Sequence, residues 1–377
     1  MAEATEIRLL LCGDVMLGRG VDQVLPHPGV PRPPGFPDAS EDAGLYVALA
    51  ERRYGAVPAQ RGIDYVWGDA LGLFDALRPD LRIVNLETAV TAGGTPWPDK
   101  LVHYRMNPRN VEVLRRAGID CCTLANNHSL DYGEPGLLDT LVTLDGAGLA
   151  RAGAGRTRAE AAAPAVFELP GRGRVLVFSA ATPTSGCPAA WAAEAARPGI
   201  NLIALDGRGF DFLRAGIAAV KQPGDLVVLS LHWGANFVRG TAREERAFAH
   251  RLIDEAGVDL VHGHSSHHVR GVEVHRGRLV IYGCGDLIND YEGIRMNEHE
   301  LSLEPDLGLV WLARFDAAEQ RLLGLEMVPT RMQHLQLHRA GKTAMHRLAK
   351  LLNREGEALG TRVAEAGAVL RLEWNES

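Results

Sequence analysis

The sequence predicts one large α/β unit with insertions, and three observations favour that fold class. The chain has 377 residues, of which 46% are hydrophobic, so it can bury a large core. Short apolar runs that are typical of strands alternate with segments of helical spacing. Several of these runs stop at a polar side chain, and in open α/β sheets functional groups collect at the carboxyl ends of strands.

Composition limits the partners and the compartment that we expect. The formal net charge is -7, which disfavours nucleic acid as a partner because phosphate binding needs a basic face. The segment Met1–Arg8 is short and polar, and the apolar run after it stops at Gly13, so it resembles neither a signal peptide nor an anchor. We therefore expect a cytoplasmic protein without a membrane partner. The five cysteines are an odd number, and most lie in apolar runs, which predicts free thiols.

The first two strand predictions end in carboxylates. Ile7–Cys12 leads into Gly13 and Asp14, and Leu81–Val84 leads into Asn85, Leu86 and Glu87. Asp after Gly is also a common turn or cap residue, so a structural role for Asp14 remains an alternative. Two strands with the same ending nevertheless favour a shared crevice.

A third unit has the clearest β-α pattern. Val111–Ala117 is predicted to be a helix, Ile119–Ala125 a buried strand and Leu137–Leu149 a second helix. Four polar residues lie between that strand and the second helix, namely Asn126, Asn127, His128 and Asp131. They place amide, imidazole and carboxylate groups at the same predicted edge.

Three cationic or titratable residues precede this unit, at Lys100, His103 and Arg105. In an extended segment His103 and Arg105 lie on one face and Lys100 on the other. The pair on one face can hold a substrate carboxylate, or it can be a solvated edge. We assign all three residues to substrate binding.

The stretch that organises the chain is Val261–Glu273, which holds His262, His264, His267 and His268. We predict a turn with Gly and Ser between strands Val258–Val261 and Val269–Val274. Imidazoles at such a position titrate near neutral pH or bind metals. The alternative is an exposed loop rich in His.

Two further strands end at candidate site residues. Asp225–Leu231 leads into His232 and Trp233, and Trp233 either walls a pocket or packs in the core. Leu279–Tyr282 leads through Gly283, Cys284 and Gly285 to Asp286, which we assign with Trp233 to substrate binding.

The C-terminal third is predicted to hold a flexible acidic loop, a hairpin and an outer helix. The loop Ile294–Pro305 carries His299, and Leu309–Phe315 with Leu322–Val328 resembles a hairpin. Thr343–Ala366 has an amphipathic helical pattern. We therefore divide the chain into a main domain, 1–330, and a C-terminal helical extension, 331–377, packed on it.

Several motifs together resemble the CapA family, which is linked to capsule and poly-γ-glutamate synthesis and has a calcineurin-like metallophosphatase fold. The resemblance rests on the sequences at Cys12–Arg19, Asn85–Thr88, Ala125–His128, His232–Gly234, Gly263–His267 and Tyr282–Asp286. It extends in order from Arg8 to about Val328. It implies a four-layer α/β/β/α sandwich in which these segments meet at one edge.

The resemblance also implies a set of metal ligands. By position these are Asp14, Glu87, Asn127, His128, His232, His264 and His267. The chain departs from the metallophosphatase pattern at Met16, where a histidine ligand is expected, and at Asn85–Glu87, which replaces Gly-Asp. These differences weaken the charge around a divalent Mn, Zn or Fe ion and make phosphoesterase activity unexpected.

The resemblance includes cytoplasmic relatives that epimerise a residue of a ribosomally made lasso peptide, and this is the first functional hypothesis. Epimerisation at Cα needs a base on one face and an acid on the other, and it requires no metal. Asp14 and His299 are the predicted pair, and His128, His232 and His264 are further acid or base candidates. Asn127 and Arg105 are expected to hold the carbonyl or a terminal carboxylate of the peptide substrate, which can include a leader segment.

Two alternatives remain open. One is a metal-dependent hydrolase or biosynthesis enzyme for poly-γ-glutamate. The other is a module that binds a peptide without catalysis.

Overall fold

Two β-sheets stack face to face, and helices cover the outer surface of each. The computed structural model describes residues 6–32, 42–59 and 61–375. Its strands are β1 (Glu6–Val15), β2 (Leu81–Leu86), β3 (Ala89–Val90), β4 (Arg105–Met106), β5 (Cys121–Thr123), β6 (Ala150–Ala152), β7 (Ala154–Gly155), β8 (Ala165–Leu169), β9 (Gly173–Ala181), β10 (Gly199–Ile200), β11 (Leu226–His232), β12 (Leu260–His264), β13 (Val272–His275), β14 (Arg278–Ile281), β15 (Asp286–Ile288), β16 (Leu307–Asp316), β17 (Leu322–Gln333), β18 (Gln336–Arg339), β19 (Thr361–Ala366) and β20 (Val369–Trp374). Its α-helices are α1 (Ala43–Tyr54), α2 (Ala70–Leu77), α3 (Glu112–Arg116), α4 (Gly133–Gly146), α5 (Arg158–Ala162), α6 (Gly207–Val220), α7 (Arg243–Ala256), α8 (Glu298–Leu301) and α9 (Lys342–Gly356).

The larger sheet has the order β19-β20-β17-β16-β1-β2-β5-β6, with β15 paired to β1 and β18 to β17. Strands β1, β2, β5, β6 and β15 run parallel. The part from β16 to β19 is antiparallel. β16 and β17 form the predicted hairpin.

The smaller sheet has the order β13-β14-β12-β11-β9-β8. Its central strands β9, β11, β12 and β14 are parallel, and β8 and β13 are antiparallel edge strands. Parallel strands buried on both faces have near-continuous apolar sequences, as in Leu226–His232, in which every residue is buried.

Alternate residues of one strand divide between two cores. Ile7, Leu9 and Leu11 of β1 point into the core between the sheets, which also receives Val175 of β9 and Val228 of β11. The outer core of the larger sheet lies against the first four helices and includes Leu10, Cys12, Phe74, Leu114 and Leu137. The outer core of the smaller sheet lies against α6 and α7 and includes Phe178, Leu229, Phe210 and Phe248. The predicted four-layer α/β/β/α sandwich is therefore confirmed.

The histidine-rich stretch differs in detail from its prediction. His262 and His264 belong to β12 itself, and the turn that follows holds His267 and His268. The next strand begins at Val272. Strand β12 extends beyond its predicted end. His262 can lie between the sheets because hydrogen bonds to Cys12 and Ser230 satisfy its buried ring.

The segment after residue 330 is only partly helical. Helix α9 ends at Gly356, and the rest of the predicted helix is strand β19, which forms a hairpin with β20 around Gly367. The buried and exposed residues of the hairpin alternate, a period that fits a strand. The predicted boundary at 330 falls inside β17, and α9 packs into the core between the sheets rather than lying outside it.

All five cysteines are free and buried, as predicted. Within the described ranges, no helix combines the length and the apolar character needed to cross a bilayer. The proline-rich segment Pro26–Pro37, which its sequence predicts to be an insertion loop over the surface or over the pocket mouth, lies partly in 33–41, outside the described residues.

Candidate metal centre

The polar strand ends of both sheets meet at one edge. Asp14 of β1 stands in register with Asn85 of β2 and with Asp286 of β15. In the smaller sheet His232 stands in register with His264. Because the strands of each sheet run parallel here, their carboxyl ends lie at the same edge, and Asp286, the first residue of β15, reaches that edge through its register with Asp14.

One buried group of ligand-type side chains consists of Asp14, His232 and His264, whose ligand atoms lie within 4.8 Å of one another. The Nδ1 atoms of the two imidazoles are 2.7 Å apart, and His264 Nδ1 is 3.9 Å from Asp14 Oδ1. Ser230 contacts Nε2 of His264 at 2.7 Å and orients the ring. Such a contact around an imidazole is typical of the support that metal-binding histidines receive.

A second group shares Asp14 and adds His267 and Asp286. His267 Nδ1 lies 2.9 Å from Asp286 Oδ1 and 3.6 Å from Asp14 Oδ2. Asn289 donates to the other oxygen of Asp286 at 3.0 Å. Asp286 was predicted to bind substrate, and its position beside His267 makes it a candidate ligand instead.

Glu87 lies between these groups and His128. Its Oε2 accepts a hydrogen bond from Asn85 at 3.1 Å, and Asn85 also donates to Asp14 at 2.7 Å. Its Oε1 is buried without a hydrogen-bond partner in the described part of the chain. That oxygen is 3.8 Å from Nε2 of both His128 and His232. A buried carboxylate oxygen without a donor is costly, and a cation would satisfy it.

Burial controls the protonation of this edge in the metal-free protein. It raises the pKa of Asp14 to about 6, against the opposing effect of His267. Burial and the neighbouring Asp14 raise the pKa of Glu87 well above its usual value. Burial lowers the pKa of His232 and of His264 well below the usual value, so both rings are neutral and have a lone pair for a cation.

His267 behaves differently from those two histidines. Burial lowers its pKa, but the carboxylates of Asp286 and Asp14 oppose burial and leave the pKa raised. His267 therefore holds its proton to a higher pH than an ordinary histidine when no ion is bound. Imidazole with carboxylate is a donor set that suits Zn, Mn or Fe, so the residues fit the predicted divalent ion.

His128 belongs to an acid/base network beside the ligand groups. Its Nδ1 lies 2.6 Å from Asp131 Oδ2, and Lys100 forms an ion pair with Asp131 while lying 3.0 Å from His128 Nδ1. The side chain of Lys100 is only 15% exposed and lies over the ring of Trp191. Burial lowers the pKa of His128 to about 4 although Asp131 opposes this. The spacing of His128 and Asp131 hinted at such a contact, but nothing in the sequence links Lys100 to it.

Asn127 and Met16 complete the surroundings. Asn127 Oδ1 is 3.1 Å from His232 Nε2, so it shares the side of that ring which faces Glu87. Met16, at the position where the metallophosphatase pattern has a histidine, is buried, and its sulfur lies 3.8 Å from the hydroxyl group of Tyr291. The ring of Tyr291 in turn packs 5.9 Å from that of His267.

Four other predicted site residues lie outside the ligand groups. The ring centroids of His103 and Tyr132 are 6.2 Å apart, and Cζ of Arg105 lies 4.8 Å from the centroid of the Tyr132 ring, so His103 and Arg105 share a face as predicted. Trp233 stacks on Tyr282 in the outer core of the smaller sheet and does not wall the site, because its indole N–H is satisfied by a buried carbonyl oxygen. His299 is exposed on α8 and contacts the carbonyl oxygen of Phe237. The roles of Asp14 and His299 on opposite faces of a substrate stay a prediction.

Comparison with known proteins places these features in a family. The model of the bacterial capsule synthesis protein PGA_cap matches residues 8–291. A Mycobacterium tuberculosis protein named "Probable polyglutamine synthesis accessory protein" is 44% identical over 95% of this chain and 93% of its own. The PGA biosynthesis protein CapA of Bacillus subtilis is 27% identical over 77% of this chain and 65% of its own.

Among solved structures, one titled as a novel phosphatase from Mycoplasma pneumoniae has a TM-score of 0.47 and 14% identity, and it covers 90% of this chain and 96% of that chain. The family match spans most of the chain, from β1 to the residues that follow Asp286. This chain belongs to the bacterial capsule synthesis protein family PGA_cap.

Proposed function

We propose that this protein is a metal-dependent amide hydrolase that acts on a poly-γ-glutamate chain during synthesis of the polymer. The observation that carries the proposal is the pair of buried ligand groups that share Asp14 beside the unpartnered oxygen of Glu87. The names of the relatives, which refer to polyglutamine and PGA synthesis, supply the substrate class.

Two divalent ions would be held by Asp14, His232 and His264 and by Asp14, His267 and Asp286. Bound there, such ions supply Lewis-acid polarisation of the amide carbonyl group and acidify water. Asn127 and Glu87 border the first group through their contacts with His232. Their oxygen atoms favour retention of a cation because they add negative potential at the buried edge.

His128 supplies the proton transfers. Hydrolysis adds the oxygen of water to the carbonyl carbon, breaks the carbon–nitrogen bond and delivers a proton to the departing nitrogen. With Nδ1–H donated to Asp131, neutral His128 has a free lone pair on Nε2, which faces Glu87. It can accept a proton from water there and return it to the amine. Lys100 keeps Asp131 ionised, and Asp131 fixes the orientation of the ring.

The epimerase hypothesis has less support. Its assigned groups differ in exposure, since Asp14 is buried and His299 is exposed, and the names of the relatives refer to synthesis of a polymer. The binding-module hypothesis gives no reason for burying Asp14, Glu87 and Asp286 so close together, an arrangement that is costly without a cation.

One experiment separates the three hypotheses. The full-length protein is loaded with Mn, Zn or Fe and incubated with a γ-linked glutamate oligomer in deuterated water, with and without chelator. Mass spectrometry that finds shorter oligomers only with metal supports the hydrolase. Deuterium at a Cα without cleavage contradicts it and supports an epimerase, and binding without any product supports the module. His128→Gln is expected to keep its metal and lose cleavage, whereas His299→Ala is expected to retain cleavage.

A further inference from the structure

A cavity adjoins the candidate metal centre. It has a volume of about 840 Å³ and lies between the end of α1, the segment 289–296, the end of β17 and helix α9. Two of its lining residues also contact the second ligand group. Asn289 donates to Asp286, and the ring of Tyr291 packs against that of His267. The cavity therefore lies next to the second ligand group.

The cavity wall carries an excess of positive charge. Five arginines line it, namely Arg52, Arg53, Arg295, Arg331 and Arg347, against the two carboxylates Glu292 and Asp306, which leaves a formal excess of three positive charges. The carboxylates are already engaged. Glu292 accepts hydrogen bonds from the backbone N–H groups of His334 and Leu335, and Asp306 pairs with Arg331.

Three of the arginines, Arg52, Arg53 and Arg295, are exposed, and none of them forms an ion pair with a residue that the structure describes. Arg53 lies over the ring of Tyr54, 5.7 Å from its centroid, so Arg52 and Arg295 are the two most available to a ligand. The guanidinium groups of a cavity wall that are not neutralised by the protein are available to an anionic ligand. Guanidinium binds carboxylate through two parallel hydrogen bonds, which gives such a site directional preference for that group.

We infer that this cavity is a subsite for the carboxylates of an acidic chain whose amide bond lies at the metal centre, so that the protein prefers long chains over short ones. The inference rests on the proposed function for its choice of ligand. A γ-linked glutamate polymer has one free carboxylate on every residue, so a chain that passes Tyr291 brings several anions into the cavity. On this inference a short oligomer held at the metal centre leaves Arg52 and Arg295 unoccupied.

The test compares the affinities of a γ-linked glutamate octamer and dimer for the full-length, metal-loaded protein. The Arg52→Gln/Arg295→Gln double variant is expected to lower the ratio of octamer to dimer affinity about tenfold. The matched control is Arg208→Gln/Arg214→Gln, which removes the same charge from α6, a helix that does not line the cavity. An equal change of the ratio in both double variants, or no change in either, contradicts the subsite.

Two further outcomes keep the inference separate from the proposed function. If the octamer binds selectively through the two arginines but is never cleaved, the hydrolase proposal fails and the subsite stands. If the octamer is cleaved and the cavity variant keeps the wild-type preference for the octamer over the dimer, the subsite fails and the hydrolase stands. Polyphosphate that binds the cavity more tightly than the octamer overturns the assignment to carboxylates.

Discussion

Asp14 is the residue on which both ligand groups depend. It lies near the carboxyl end of β1, where β2 and β15 flank that strand, and its two oxygens lie nearest different histidines. We expect Asp14→Asn to abolish binding at both groups and to lower hydrolysis by roughly 100-fold or more, since losing even a supporting residue commonly costs 10–100-fold. Elemental analysis of the purified variant checks the first result and the oligomer assay the second.

Asp286→Asn is the matched control for that prediction. Asp286 belongs to one group only, so this variant should lose one ion and keep the other. Each amide has the shape of the carboxylate that it replaces, so both variants are expected to fold, and each loses one carboxylate contact with His267. Equal metal content in the two variants would contradict a shared Asp14.

His262 provides a prediction about pH at the same scale. Burial between the sheets lowers its pKa from 6.5 to about 4. Because the unfolded chain then binds the proton more tightly, the stability due to neutral His262 is present above pH 6.5 and is lost as the pH falls to about 4. Between about pH 7.5 and pH 5 the wild type should lose about 2 kcal/mol that His262→Gln does not lose.

Urea unfolding of both proteins at the two pH values measures that difference. His262→Gln starts from lower stability at the higher pH, because it loses the bonds to Cys12 and Ser230. The prediction concerns only the change in the free energy of unfolding of each protein between the two pH values. Equal changes in wild type and variant would mean that His262 is not neutral in the folded protein.

The sequence predicted the site residues best where an apolar run stops. Asp14, Asn127, His128 and His232 all follow buried strands, and parallel strands carry their ends to one edge. It could not pair Asp286 with His267 as candidate ligands, because that contact depends on β15 lying beside β1. Lys100 was assigned to substrate binding. Its ion pair with Asp131 could not be predicted, because Asp131 follows another strand and approaches Lys100 only in the folded chain.

Among the elements, the C-terminal hairpin β19–β20 has a structural role that its position at the end of the chain conceals. Leu370 and Leu372 of β20 lie in the same core as Leu9 of β1 and Leu348 of α9. We expect Leu370→Ala to reduce the free energy of unfolding by about 2–5 kcal/mol, the cost of a buried cavity of that size. Leu323→Ala, at a position in β17 that is 38% exposed, should cost less than about 1 kcal/mol.

Denaturant midpoints of the two variants decide the point. Similar losses at Leu370 and Leu323 would mean that the hairpin is not part of the core.

The helix predicted for this segment was wrong after Gly356, because Gly360 and Gly367 both adopt positive φ angles that interrupt a helix and turn the chain. Charged residues at alternate positions, such as Glu365 and Arg371, fit a helical pattern and a half-exposed strand equally well, so composition did not distinguish them.

At the scale of the whole molecule, two sheets that each carry half of the ligands must stay in fixed relation for the centre to exist. Asp14, Glu87 and Asp286 belong to the larger sheet and its loops, whereas His232 and His264 belong to the smaller one. His262 of the smaller sheet contacts the carbonyl oxygen of Cys12 in β1 across the core. Metal binding is therefore expected to clamp the two sheets together and to stabilise the entire fold.

That clamp should depend on pH in a definite direction. The folded pKa of Asp14 is raised from 3.8 to about 6, so its contribution to metal-free stability falls as the pH rises between those values. Above that range the ionised group is crowded by Asp286 and Glu87, and a cation relieves the repulsion. Below it, the cation must first displace a proton.

Thermal unfolding with and without metal tests this at about pH 8 and about pH 5. At concentrations near 100 times the dissociation constant, a bound ion adds about 2.7 kcal/mol, which corresponds to roughly 3–4 °C in a chain of this size. We expect that rise at the higher pH and a clearly smaller one at the lower pH, with no rise at either pH for Asp14→Asn. If metal raised the unfolding temperature of the wild type equally at both pH values, Asp14 would not bind the ion through an ionised carboxylate. A proton competes with the ion for that carboxylate only near and below the pKa of Asp14.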